Sequence, residues 1–245
     1  MGYLTDYHVA GYECDRESLL SIRSIFNWLQ DSMDRFSRSI GIGYDFCEKH
    51  NLTYILKNYD VQIQNLPHWT DSVQMETAPL TTSNACLFFA HTLKNKETKA
   101  ELFHTTSQVV LLNTLNGHPA RVKDCLPIDV LKTIQIQPNF QHLPPINRVD
   151  IEQMQPVSTD HIDFNQHINN TNYVVFAERT LSPEFLKKAK LQRIQAAYKQ
   201  AAKLGDSLRI QTQIAPGFTD HQIVSATNPD INFARIRFHW AKRDR

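Results

Sequence analysis

Residues 19–40 read LLSIRSIFNWLQDSMDRFSRSI, and their apolar spacing decides what kind of chain this is. Leu19, Ile22, Phe26, Leu29, Met33, Phe36 and Ile40 follow one another at intervals of 3, 4, 3, 4, 3 and 4. That rhythm draws one apolar stripe along a long amphipathic helix. Asp15 is the expected N-cap, and Gly41 and Gly43 supply the stop. A short helix near Tyr44–His50 is expected to follow.

Beyond Thr53 the period changes from helical to alternating. In YILKNYDVQIQ, residues 54–64, Val61 and Ile63 face one way and Gln62 and Gln64 the other. SVQMETAPL, NACLFFAHTL and AELFHTTSQVVLLNTL continue in the same manner, with Pro67, Asn95 and Asn116-Gly117 as turn signals. The first half therefore reads as a helix followed by about four antiparallel strands. Pro119–Pro145 is poorly patterned and reads as a connector, with a short helix near Ile128–Thr133.

After the connector the order repeats. Asn170–Leu181 has a helical pattern, and LQRIQAAYKQ, SLRIQTQIA, QIVSATN and INFARIRFHW read as strands. WTDSVQMET, from Trp69, parallels LGDSLRIQT, from Leu204, at an offset of 135, pairing Asp71 with Asp206, Ser72 with Ser207 and Thr77 with Thr212. The helices align at an offset of 148, which pairs Asp15 with Asp163 and Trp28 with Phe176. Two copies of one helix-plus-sheet unit follow from this, an α+β layer arrangement in which a long helix lies on a curved antiparallel sheet. The expected boundaries are residues 1–125, a connector over 126–148, and residues 149–245.

Composition narrows the function classes. The 245 residues carry a net charge of +1, which argues against broad nucleic-acid binding. Cys14, Cys47, Cys86 and Cys125 form no CxxC pair, so neither a zinc ribbon nor a redox dithiol is suggested, and reduced thiols are expected. The start, MGYLTDYHVA, has no export pattern, and Asp6 breaks the myristoylation motif that Gly2 suggests. No run of 18 apolar residues exists to span a membrane, so a cytoplasmic location is expected.

The chemistry-bearing stretch is DHIDFNQHINNTNY, residues 160–173. Asp163, Asn165 and His167 alternate, so they converge only if this lead-in is extended or loop-like. Asn169 or Asn170 can then cap the next helix, which puts a polar cluster at the positive end of a helix dipole. A calcium loop would need glycine at Ile168 and glutamate at Val174, and zinc would need more ligands than His161 adds. No metal and no cofactor are expected. Spacing alone leaves two readings open, a polar helix cap without chemistry and a catalytic cluster.

DHIDFNQHINNTNYVVFAE resembles the second-half signature of the acyl-ACP thioesterases, double-hotdog enzymes of plants and bacteria. That signature runs Asp-x-Asn-x-His-Val-Asn-Asn-x-x-Tyr, met here by Asp163, Asn165, His167, Ile168, Asn169, Asn170 and Tyr173. YILKNYDVQIQNLPHWTDSVQMET and YKQAAKLGDSL are similar to further family segments, and the likeness runs roughly from Tyr3 to Trp240.

The resemblance implies a tandem hotdog and hydrolysis of a fatty-acyl thioester carried on acyl carrier protein or coenzyme A. It implies Asp163 as base or nucleophile, His167 as partner in proton transfer or water orientation, and Asn165 and Asn169 as substrate-contacting groups. The first half would hold the acyl chain, with Phe26, Leu29 and Met33 as tunnel candidates. Carrier protein is acidic, so Lys187, Lys188, Lys190 and Arg193 are docking candidates. A homodimer is compatible with such enzymes. One position departs from the pattern. The family's Tyr-Lys-x-Glu is met by Tyr198 and Lys199, but Ala201 stands where the glutamate belongs. If residues 198–201 form a strand, Gln200 faces the opposite way and cannot substitute.

Overall fold

The computed structural model describes residues 2–127 and 136–243, and the short helix expected near Ile128–Thr133 lies outside them. The chain divides into two compact units, Met1–Phe140 and Gln141–Arg245. Each is a helix packed on a five-stranded antiparallel sheet, so the tandem α+β repeat expected from the sequence is present.

In the first unit the strands are β1 (Tyr3–His8), β2 (Leu52–Ile63), β3 (Ser72–Ser83), β4 (Cys86–Asn95) and β5 (Glu101–Asn113). They lie in the order β1-β3-β4-β5-β2. The helices are α1 (Ile22–Ser39), α2 (Tyr44–Lys49) and the single turn α3 (Val122–Cys125). The second unit holds β6 (Ile151–Pro156), α4 (Asn170–Arg179), α5 (Pro183–Lys188), β7 (Ala189–Tyr198), β8 (Ser207–Ala215), β9 (Phe218–Ser225) and β10 (Asn232–Lys242). Its strand order is β7-β10-β9-β8-β6. β1 and β6, short edge strands absent from the sequence reading, bring each sheet to five. Among the described residues no helix is long and apolar enough to cross a membrane, and all four cysteines are free.

α1 starts three residues later than the apolar stripe suggests. Its N-cap is Ser21, whose hydroxyl accepts from the Ser24 N–H at 3.3 Å, and not Asp15. Leu19 precedes the helix and bridges to His68. At the far end Gly41 adopts φ +76°, and Ile42 N–H reaches back to the Ser37 carbonyl at 2.9 Å, a left-handed stop that glycine accommodates without strain. The buried face carries Ile22, Ile25, Phe26, Trp28, Leu29 and Phe36, but also Ser24, Ser32 and Ser37. Phe26 meets Tyr59 edge-on and Phe36 meets Phe89 likewise.

The buried hydroxyls explain how helix and sheet are joined. In the first unit His91 of β4 is fully buried, with Nδ1 3.1 Å from Thr77 Oγ1 on β3 and 3.4 Å from Ser32 Oγ on α1. Its Nε2 lies 3.0 Å from Ser107 Oγ on β5. The second unit repeats the device. His221 Nδ1 lies 2.8 Å from Thr212 Oγ1 on β8 and 3.4 Å from Thr180 Oγ1 at the end of α4, and Nε2 lies 2.9 Å from Thr219 Oγ1. Thr77 with Thr212 is the sequence pairing at offset 135, and Ser32 with Thr180 has the helix offset of 148.

Burial pushes both imidazoles down to about 3, so they stay neutral. An unfolded histidine titrates near 6.5, so below that pH the unfolded chain takes up protons that the native one refuses. Stability is therefore full above about pH 6.5 and falls as the pH drops toward 3. At pH 5 the expected loss is about 2 kcal/mol for each histidine. Urea unfolding of wild type and His221→Gln at pH 7.5 and pH 5 checks this, the variant losing about 2 kcal/mol less between the two conditions.

Candidate active site

The motif occupies a tight turn, not an extended pleat. Ile162 and Ile168 pair across its base. Above them the Asp163 N–H donates to the His167 carbonyl at 2.9 Å, and the Gln166 N–H donates to the Asp163 carbonyl at 3.0 Å. Asp163 Oδ1 accepts the Asn165 N–H at 2.9 Å, the local bond that makes Asp a turn former. Gln166 takes φ +62° to complete the reversal. Asp163 and His167 are thus joined through the backbone and both half-buried, while Asn165 sits at the exposed tip. Among the described residues their side chains make no hydrogen bonds to one another, and the second Asp163 oxygen accepts nothing.

The turn is held from both sides. Before it, the Ser158 N–H donates to His161 Nδ1 at 3.1 Å. The ring stands edge-on to Phe176, with centroids 4.9 Å apart. The His161 carbonyl accepts from the Asn169 N–H at 2.9 Å and from Asn172 Nδ2 at 3.0 Å. After it, Asn169 caps α4 as expected, its Oδ1 accepting the Thr171 N–H at 2.9 Å. The Asn172 N–H donates to the Asn169 carbonyl. Among the described residues the Asn170 N–H is the first-turn donor left over.

A third element straps the turn from behind. The Ile168 N–H donates to the Ala202 carbonyl at 3.0 Å, and the Ala202 N–H donates to the Tyr173 hydroxyl at 2.9 Å. Burial pushes the Tyr173 hydroxyl up to about 12, the Ala202 N–H counteracts this, and the nearby Asp206 and Asp163 charges add to the rise. The phenol therefore serves as a fixed neutral acceptor. β7 ends at Tyr198, so residues 199–203 are irregular and the strand argument about Gln200 does not apply. Gln200 and Ala201 are both exposed, one and two residues before Ala202.

The first unit carries the same turn without the chemistry. Asp15 N–H donates to the Leu19 carbonyl, Ser18 N–H to the Asp15 carbonyl, and Asp15 Oδ1 accepts from Glu17 N–H at 2.8 Å. Ser18 takes φ +61° in the place of Gln166. The Leu20 N–H donates to the Pro67 carbonyl, as Ile168 does to Ala202. Glu17 and Leu19 replace Asn165 and His167, so the turn is kept and the amide and imidazole are not. Glu13, in the place of His161, accepts from Trp28 Nε1 at 2.7 Å, where Phe176 packs in the second unit.

Phe26 and Leu29 lie with no exposed surface, and Met33 is half-buried against the cluster around Phe36. Lys187 and Lys188 are exposed in the last turn of α5, a helix that Ser182 caps and that the sequence reading left out. Lys190 is exposed at the start of β7 and Arg193 is half-buried within it.

Comparison with known proteins agrees across both units. A model of the acyl-ACP thioesterase N-terminal domain matches residues 1–133, and one of the acyl-ACP thioesterase C-terminal domain matches residues 145–242. The chain is 22% identical over 239 residues to a chloroplastic palmitoyl-acyl carrier protein thioesterase of Gossypium hirsutum, covering 89% of this chain and 56% of that one. It is 22% identical over 232 residues to a chloroplastic dodecanoyl-[acyl-carrier-protein] hydrolase of Umbellularia californica, covering 89% and 61%. The chain thus spans less than two thirds of the length of these relatives. Its fold is that of a putative oleoyl thioesterase from Lactobacillus plantarum, with a TM-score of 0.89 at 16% identity over 100% of this chain and 98% of that one. It is also that of the 12:0-ACP thioesterase from Umbellularia californica, with a TM-score of 0.86 at 19% identity over 98% and 97%.

Tyr173 is 1% exposed and its hydroxyl serves the buried Ala202 N–H. Tyr173→Phe leaves that donor unpaired, at an expected cost of about 1–3 kcal/mol in a urea unfolding experiment. The larger effect is expected in hydrogen exchange, with faster exchange at Ala202 and Ile168 and little change in the first unit.

Proposed function

The chain belongs to the acyl-ACP thioesterase family, and from that premise we propose that it releases a fatty acid by hydrolysing the thioester of an acyl chain carried on acyl carrier protein. One observation carries the reading: a five-residue turn holds Asp163, Asn165 and His167 directly before the capped start of α4.

A thioester carbonyl is electrophilic, and its leaving thiol has a pKa of about 8.5, so no strong general acid is needed. The enzyme has to activate water and stabilise an oxyanion. One Asp163 oxygen is anchored on the Asn165 N–H, and the other is available to take a proton from water. His167, across the closing hydrogen bond of the turn, orients that water or shares its proton. Asn165 at the tip donates its amide to the thioester. The Asn170 N–H, at the positive end of α4, is the backbone donor suited to the developing oxyanion. Phe26, Leu29 and Met33 remain the candidates for contact with the acyl chain.

A second reading, acyl binding without turnover, is favoured by Ala201, which supplies no carboxylate where the family carries glutamate. An acyl-CoA thioesterase is the rival within hydrolases. A cytoplasmic location and a homodimer belong to the proposal, and sedimentation at micromolar concentration distinguishes dimer from monomer.

Thiol release from acyl carrier protein and acyl-CoA, compared side by side, tests the assignment. Asp163→Asn and His167→Ala are each expected to lower kcat by about 10²–10⁴. Unchanged hydrolysis in both would remove this site. Ala201→Glu is expected to raise kcat. Acyl binding by the wild type with no thiol released would establish the binding-module reading instead.

A further inference from the structure

The repeat makes it possible to ask what fills a given place in one unit and to look for it in the other. At one end of the first unit, the Leu111 N–H donates to the Ala85 carbonyl at 2.8 Å. Leu111 pairs with Tyr54 across β5 and β2. That end is covered by the segment after β5. The Ala120 N–H donates to the Leu111 carbonyl and the Val122 N–H to the Asn84 carbonyl, both at 2.9 Å. Val122, which opens α3, and Leu126, just past its end, are then buried in one cluster with Cys47, Leu52, Leu87 and Leu111.

The second unit has the same end built differently. The Trp240 N–H donates to the Gly217 carbonyl at 2.8 Å, and Trp240 pairs with Leu191 across β10 and β7. Where the first unit seats Val122 and Leu126, the second has a cavity of about 240 Å3. Phe185, Ala189, Ala215, Phe218 and Trp240 form its apolar wall, and Lys188 and Lys242 stand at its edge. The wall is rigidly set. Trp240 Nε1 donates to Thr219 Oγ1 at 3.1 Å, Phe185 packs edge-on against Trp240, and the Arg237 guanidinium lies 4.4 Å over the Phe218 ring. A β-bulge between His239 and Trp240 re-aims the tryptophan, the kind of irregularity that strands carry beside functional surfaces.

Charge identifies the occupant. Lys188 on α5 and Lys242 on β10 line the cavity, Lys187 neighbours Lys188 on α5, and Arg243 follows β10, where its N–H donates to the Lys188 carbonyl. Glu184 is the one acid on α5. A surface this cationic around an apolar slot suits an acidic amphipathic helix that offers two apolar side chains four residues apart, the spacing of Val122 and Leu126 in the first unit. We propose that this cavity and its lysine rim are the docking surface for a helix of the acidic acyl carrier protein. The proposal rests on the carrier-protein reading of the substrate and extends the docking candidates to Lys242, Arg243 and the apolar wall.

The test pairs Lys188→Glu/Lys242→Glu with the cavity-filling Ala215→Phe, using dodecanoyl carrier protein and dodecanoyl-CoA. Both variants are expected to raise KM for the carrier substrate tenfold or more, with kcat and all CoA kinetics at wild-type values. The charge variant is also expected to flatten the rise of carrier KM with salt. Carrier KM within twofold of wild type in both variants overturns the proposal. A change in sedimentation with carrier KM unmoved also overturns it, and assigns the surface to a second copy of this chain. If wild type hydrolyses neither substrate, titration with holo-carrier protein decides. Weaker binding by the charge variant then upholds the docking surface while the hydrolase reading fails, and equal binding overturns both.

Discussion

Each unit has to fasten one helix to the middle of a five-stranded sheet, and in both a neutral buried imidazole makes the join. His91 of β4 touches hydroxyls on the two flanking strands, Thr77 and Ser107, and one on the helix, Ser32. His221 likewise touches the hydroxyls of Thr212, Thr219 and Thr180. A buried polar group of this kind is costly unless satisfied, so its geometry fixes where the helix lies along the strands. That register is what allows the N-terminus of α4 to meet the turn at Asp163 and the strap at Ala202.

Much of this architecture was legible because packing follows period. The apolar stripe of α1 and the alternation of β2 to β5 both read directly from residue spacing. The hydroxyl half of the helix face did not, because Ser24, Ser32 and Ser37 look solvent-facing in a sequence, and His91, the partner of Ser32, lies 59 residues along the chain. His91 and His221 left a trace, since alternation in FFAHTL sets His91 on the same face as Phe89 and Leu93. β1 and β6 left almost none. β6 is mostly exposed, and the inward side of β1 is Tyr3, Thr5 and Tyr7, residues with polar atoms that do not stand out as an apolar alternation. Asp15 misled because one side chain suits both a helix cap and a turn, and the alternatives differ only in which backbone N–H lies near.

The site shows the same division between identity and geometry. Asp163, Asn165, His167 and Asn169 could be named from the motif, and the cap at Asn169 followed from residue type. The turn that groups them depends on Ile162 meeting Ile168, and its strap depends on Ala202, some thirty residues later and without a polar side chain. Ala202 acts through its backbone alone, so no residue-type argument could select it. Tyr173 could be read as motif, but its role as acceptor for that backbone appears only once the chain is folded.

Comparing the two units separates what the fold requires from what the second unit adds. The turn at Asp15 keeps the reversal, the left-handed residue and the backbone strap of the turn at Asp163. Those features therefore belong to the architecture and would exist without any reaction. What differs is local: Asn165 for Glu17, His167 for Leu19, and an open apolar slot where Val122 and Leu126 close the first unit. The amide and imidazole that the proposed chemistry uses are therefore confined to the second unit. Ala201 fits the same logic from the other side. It sits on an exposed, irregular segment whose place is fixed by Ala202, so fold stability leaves its side chain unconstrained, and a substitution there probes the proposed chemistry without disturbing the turn.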